Sequence, residues 1–73
     1  MDEQNVKDGT IHNSLGWAYL QCGDYQNAVQ ELRLAREPRV YSKLSEITKR
    51  QVDNNLATAE SYLNVRSMAR VAR

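Results

Sequence analysis

Residues that interrupt a helix are so few in this chain, and so placed, that they nearly dictate an assembly of helices. Its 73 residues include three glycines and one proline, and beyond Pro38 there is neither. Glycine and proline are the costliest residues inside a helix, at about 1 and about 3 kcal/mol relative to alanine. Ala, Leu, Gln, Glu and Arg recur and Phe is absent. No segment alternates apolar and polar residues as a half-buried strand does, and Val40 and Val52 are too isolated to suggest one. The expected class is therefore all-α, with residues 1–73 forming a single domain. A chain of this size buries only roughly 60% of its unfolded surface. The lone cysteine, Cys22, rules out an internal disulfide, and no His/Cys cluster has metal-ligand spacing. Neither a metal nor a cofactor is expected, so support has to come from helix packing or self-association.

Spacing divides the chain into three helical segments. In the first, from about Thr10 to Cys22, the residues Ile11, Leu15, Ala18 and Cys22 fall at one-face spacing and are expected to form the buried stripe. Asp8 or Thr10 can cap its start. Gly23 can end it, because glycine enters the left-handed conformation without a Cβ penalty. Asp24 then caps a second helix that buries Tyr25, Ala28, Val29, Leu32 and Ala35 and stops near Glu37, since Pro38 disfavours helical geometry in the residue before it. So short a link makes the two helices antiparallel neighbours. The third segment, Val40 to Ala69, keeps Tyr41, Leu44, Thr48, Val52, Leu56, Ala59 and Leu63 on one face, which argues for a single helix; the competing reading is a break at Asp53, Asn54 and Asn55, which favour caps and turns over helix interiors. At 1.5 Å per residue the single helix would be about 45 Å long and would outrun the hairpin.

Within this frame Leu15, Gly16, Tyr19, Gly23, Tyr25, Ala28, Leu32 and Ala35 stand in the order and spacing of one tetratricopeptide repeat, and residues 10–39 resemble a single member of that family. His12 and Leu32 replace the aromatic residues usual at their positions, and Pro38 falls about two residues early. The resemblance implies a repeat held together by Leu15, Gly16, Tyr19, Ala28, Leu32 and Ala35, with Gly16 and Ala28 where the helices cross most closely. It also implies a non-enzymatic scaffold or adaptor, with Thr10, Asn13, Trp17, Leu20 and Gln21 facing a client peptide or helix. Trp17 either anchors that partner or packs on the third segment. The stretch around Asn54–Tyr62 faintly resembles the opening of a second repeat, but lacks its glycine and turn. Residues 40–70 are therefore read as a capping or oligomerising helix. Because such repeats stack, a lone one leaves Leu56, Ala59, Tyr62, Leu63 and Met68 as an apolar stripe through which a second copy would pair.

Other chemistries find little support. His12 is the sole histidine and has no neighbouring Cys or carboxylate in the sequence to make it a catalyst. Cys22 on the expected stripe reads as an inert buried thiol, and Asp24 with Glu31 as a surface pair. With 10 Lys+Arg against 9 Asp+Glu, there is no net footprint for nucleic acid. Arg33, Arg36, Lys49 and Arg50 are interleaved with acids and read as solvated helix faces. No apolar run reaches the ~20 residues of a membrane span, so a cytoplasmic protein is expected, with no small-molecule substrate. Two alternatives keep the helices and change the role. One is a compact three-helix bundle similar to the microtubule-interacting and trafficking domains. The other is a small nucleic-acid-associated regulator.

Overall fold

A computed structural model of the protein describes residues 2–71, and the side chains of residues 4–66. Four helices follow one another: α1 (Asp2–Gln21), α2 (Tyr25–Ala35), α3 (Pro38–Tyr41) and α4 (Glu46–Val71). There is no strand among the described residues, and the chain is an all-α small helical bundle. α1 and α2 form an antiparallel hairpin. α4 packs against both, running antiparallel to α2 and parallel to α1, in a rod of 49 × 18 × 17 Å.

The punctuation works as its chemistry requires. Gly23, at φ 77°, closes the end of α1. Asp24 then caps α2, its carboxylate accepting the Asn27 backbone N–H at 3.3 Å. Glu37, at φ −56° and ψ 134°, is extended ahead of Pro38, because the proline ring crowds a helical residue before it.

Two departures concern boundaries. α1 begins at Asp2, not near Thr10, so Asp8 and Thr10 lie inside the helix and cap nothing. Asp8 instead accepts from Gln4, and the Thr10 hydroxyl donates to the Val6 carbonyl. The third segment is also not one helix from Val40. It breaks after the short α3 and restarts at Glu46, where the Ser45 hydroxyl accepts the Thr48 N–H at 3.2 Å. A serine at that position satisfies a backbone donor that the first turn leaves unpaired. From there α4 runs unbroken through Asp53–Asn55, as its spacing predicted.

The largest correction is the face that α1 buries. Ile11 and Leu15 are 54% and 43% exposed, and Ala18 and Cys22 are exposed too. The residues turned inward are Gly9, Asn13, Gly16 and, partly, Leu20, which share the same helical spacing one face away. The reason is steric. A Cβ on Gly16 would lie 2.5 Å from Leu32 Cγ, and one on Gly9 would lie 2.7 Å from Leu44 Cδ2. Only glycines there let α2 and the α3–α4 connection approach so closely. Leu15 therefore does not hold the hairpin together, whereas Gly16, Ala28, Leu32 and Ala35 are buried and Tyr19 is partly so. Cys22 is an exposed thiol, not a buried one.

The core has two parts. Ala28, Val29, Leu32 and Ala59 form one, flanked by Tyr19, Leu20, Leu56 and Leu63. Ala35, Leu44 and Val52 form the other, beside Tyr41. Burying a Leu or Val side chain contributes roughly 1.5–3 kcal/mol. The expected self-association stripe is largely consumed by this packing. Ala59 is fully buried, Leu56 and Leu63 cover the first cluster, and the Tyr62 ring stacks on Tyr25 at 4.9 Å. Leu56, Ala59 and Leu63 found partners within the chain because α4 lies along the whole of α2, while Tyr62 stays 53% exposed. The side chain of Met68 lies outside the described residues.

Candidate protein-binding groove

Two seams of different character flank α4. Along the seam with α2, charge is matched to charge. Arg33 donates to Glu60 at 3.1 Å and Arg36 to Asp53 at 2.6 Å. Tyr41 Oη donates to the other Asp53 oxygen at 2.8 Å. The Tyr41 ring also lies under the Arg36 guanidinium at 4.9 Å and near the Lys49 ammonium at 5.6 Å. The hydrogen bond to Asp53, then desolvation and the Asp53 charge, hold the Tyr41 phenol above its ordinary value, with Arg36 opposing. These arginines bridge helices while staying largely exposed, so the solvated faces their spacing suggested also carry inter-helix pairs. Among the described residues, Lys49–Glu46, at 3.6 Å, is the pair within one helix.

The seam between α1 and α4 carries no ion pair among the described residues and opens into a groove of about 380 Å³ lined by Asn13, Ser14, Trp17, Gln51 and Asn55. Its floor is a ladder of amides. Asn13 Nδ2 donates to Gln51 Oε1 at 3.3 Å, and Asn55 Nδ2 donates to Asn13 Oδ1 at 3.1 Å. Asn13 is only 8% exposed, and both ends of its amide are engaged, which is what makes its burial tolerable. Trp17, 53% exposed, forms the wall. The helical spacing of Gln51 and Asn55, four residues apart, puts both on the edge of α4 that faces α1.

The residues assigned to a partner from sequence divide accordingly. Trp17 lines the groove and is open to contact, and Thr10 and Gln21 are exposed on α1. Asn13 is at the groove but serves as its buried floor, not as an exposed contact. Leu20 is partly buried and packs against the core. Gln51 and Asn55 were missed as groove residues, since nothing local in the sequence shows that α4 returns alongside α1.

His12 does have a carboxylate beside it. Its Nδ1 lies 2.8 Å from Glu31 Oε1, pinning α1 to α2. Asp24 and Glu31 do not form a pair, because each is engaged elsewhere. Among the described residues no group of three or more His, Cys, Asp or Glu side chains could hold a metal ion, and no helix is long and apolar enough to cross a membrane. No protein-family model, curated protein or solved structure matches this chain.

Proposed function

We propose that this protein is a non-enzymatic interaction module, a tetratricopeptide-like hairpin completed by α4, that holds a client polypeptide in the groove between α1 and α4. The observation that carries the reading is the half-exposed Trp17 standing beside an ordered amide floor. A rigid aromatic at the edge of a recess is an energetic anchor in many interfaces. The parallel arrangement of α1 and α4 supports the repeat-like reading, since α4 then occupies the place of a following repeat's first helix. Panning a phage-displayed library of linear peptides against the immobilised protein tests it. Sequences enriched on the parent and lost on a folded Trp17→Ala variant support the reading, and equal recovery on both refutes it.

A specific feature also favours self-association, on a different face from the one the sequence suggested. Ile11, Leu15, Ala18 and Cys22 are all exposed, at the alternating four- and three-residue steps of a coiled-coil seam. A second copy of the chain would cover this stripe. Sedimentation of the parent beside Leu15→Asp tests this, because the substitution should abolish a dimer without unfolding the protein. A parent that stays monomeric at high micromolar concentration counts against it.

A further inference from the structure

The groove between α1 and α4 is distinguished by what it lacks. Asp, Glu, Lys and Arg make up 26% of the chain, yet none occurs from Gly9 to Gly23 and none lines the groove. The acids nearest on α4, Asp53 and Glu60, are turned to the other seam and held there by Arg36 and Arg33. A charged client would gain nothing here to offset its desolvation.

The amide ladder adds a second observation. Gln51 spends its oxygen on Asn13, and Asn55 spends its nitrogen on Asn13. The Gln51 Nε2 donor and the Asn55 Oδ1 acceptor have no hydrogen bond to the protein among the described residues. One donor and one acceptor, a helical turn apart and about 5–6 Å between their Cβ atoms, match the C=O and N–H that a polypeptide backbone presents. Because Asn13 holds both amides from behind, they are oriented before any ligand arrives. Such pre-organisation reduces the ordering cost of binding.

We infer that the groove takes an uncharged polypeptide segment through its main chain: Gln51 Nε2 donates to a client carbonyl, Asn55 Oδ1 accepts a client N–H, and an apolar client side chain rests on Trp17. This rests on the peptide-binding reading above and specifies the ligand. Recognition by neutral hydrogen bonds and an aromatic face is insensitive to salt, unlike recognition through ion pairs.

The test uses two displayed dodecapeptide libraries, one unrestricted and one lacking Asp, Glu, Lys and Arg, followed by synthesis of the enriched peptides. The neutral library should yield binders as tight as the unrestricted one, with Kd changing less than about twofold between roughly 50 and 200 mM salt. Methylating a single backbone nitrogen, scanned along the peptide, should raise Kd about tenfold at one position. Alanine at that same position should cost less than about threefold. Asn55→Ala should erase the N-methyl effect. The scan on unaltered protein stands even if that variant folds poorly. Enrichment only of charged, salt-sensitive peptides indifferent to N-methylation overturns the inference while leaving a peptide-binding groove. No enrichment from either library defeats both. Maltotriose quenching Trp17 fluorescence and displacing the peptides would overturn it in favour of a neutral glycan.

Discussion

Gly16→Ala is the substitution on which the account of this fold stands most exposed. On helix propensity alone it should stabilise α1 by about 1 kcal/mol. Against that, the new methyl would lie 2.5 Å from Leu32 Cγ and 2.7 Å from Cδ2. Cγ is the branch point of the leucine and not a free end, so the whole side chain has to move. It is fully buried among Ala28, Val29 and Ala59, and has nowhere to go without displacing α2 or α4. Overpacking of that kind costs roughly 1–3 kcal/mol. The net is a destabilisation of about 1 kcal/mol, which lowers Tm by about 4–8 °C in a domain of this size.

Thermal melts followed by far-UV circular dichroism measure this, alongside two companion variants. Gly9→Ala meets the methyl ends of Leu44 and Val40, at 2.7 and 2.8 Å. Both are flexible side-chain ends, and Val40 is only half-buried on the short α3, so this variant should lose less than Gly16→Ala even though Leu44 is buried. Leu32→Ala alone should cost about 2–5 kcal/mol. In that background, however, Gly16→Ala should change sign and stabilise, because its methyl enters the vacated space. A Gly16→Ala variant that melts at or above the parent, or retains the same sign beside Ala at position 32, would show that α1 and α2 do not cross at Gly16.

Three further outcomes follow from single contacts. Asp24→Ala removes the acceptor at the start of α2 and should cost about 1 kcal/mol in a urea titration. Asn13→Ala strips Gln51 and Asn55 of their shared partner and should cost about 1–3 kcal/mol, whereas Trp17→Ala, at the open side of the same groove, should stay within about 0.5 kcal/mol of the parent. The raised Tyr41 phenol predicts an alkaline limit. Its folded-state pKa lies above the unfolded value of about 10, so its contribution is complete below pH about 10 and is lost as pH rises through the folded value. Tm against pH should therefore fall less steeply above about pH 10 in Tyr41→Phe than in the parent.

The sequence was most legible where one residue type has one use. Gly23, Asp24 and Pro38 each did at the backbone what their covalent structure allows, and the inward face of α2 followed its apolar spacing. α1 was misread because it carries two stripes of the same period. Ile11, Leu15, Ala18 and Cys22 are the more hydrophobic, and hydropathy selects them. Gly9, Asn13, Gly16 and Leu20 are the ones that pack, because close approach rewards the absence of a side chain and a satisfied amide tolerates burial. The clue was available: Gly16 was expected at the helix crossing, and its neighbour Leu15, about 100° further round the helix, could not centre on the same face. The break before α4 was marked by Ser45 ahead of Glu46, a capping signal outweighed by the apolar spacing that continued through it.

The groove was legible only in half, and the missing half explains why hydropathy misplaced α1. A helix that buries glycines and an asparagine gains little from the hydrophobic effect. Its attachment to α4 depends on geometry, namely the Asn13 amide meeting Gln51 and Asn55 at 3.3 and 3.1 Å. Such a contact is satisfied in one register only, since a shift of α4 by one residue rotates both partners by about 100° away from Asn13. The polar ladder acts together with the buried Val52 and Ala59 to set the rotation of α4 about its axis, and the same rotation sends Asp53 and Glu60 to the arginines of α2. Replacing Asn13 by Leu should therefore not simply substitute one packing for another. It should loosen the register of α4, broadening amide resonances of Gln51 and Asn55 and weakening the Arg36–Asp53 pair on the opposite seam. Sharp, unshifted resonances on both seams would mean that the ion pairs and the buried apolar residues set the register and that the amides are passengers.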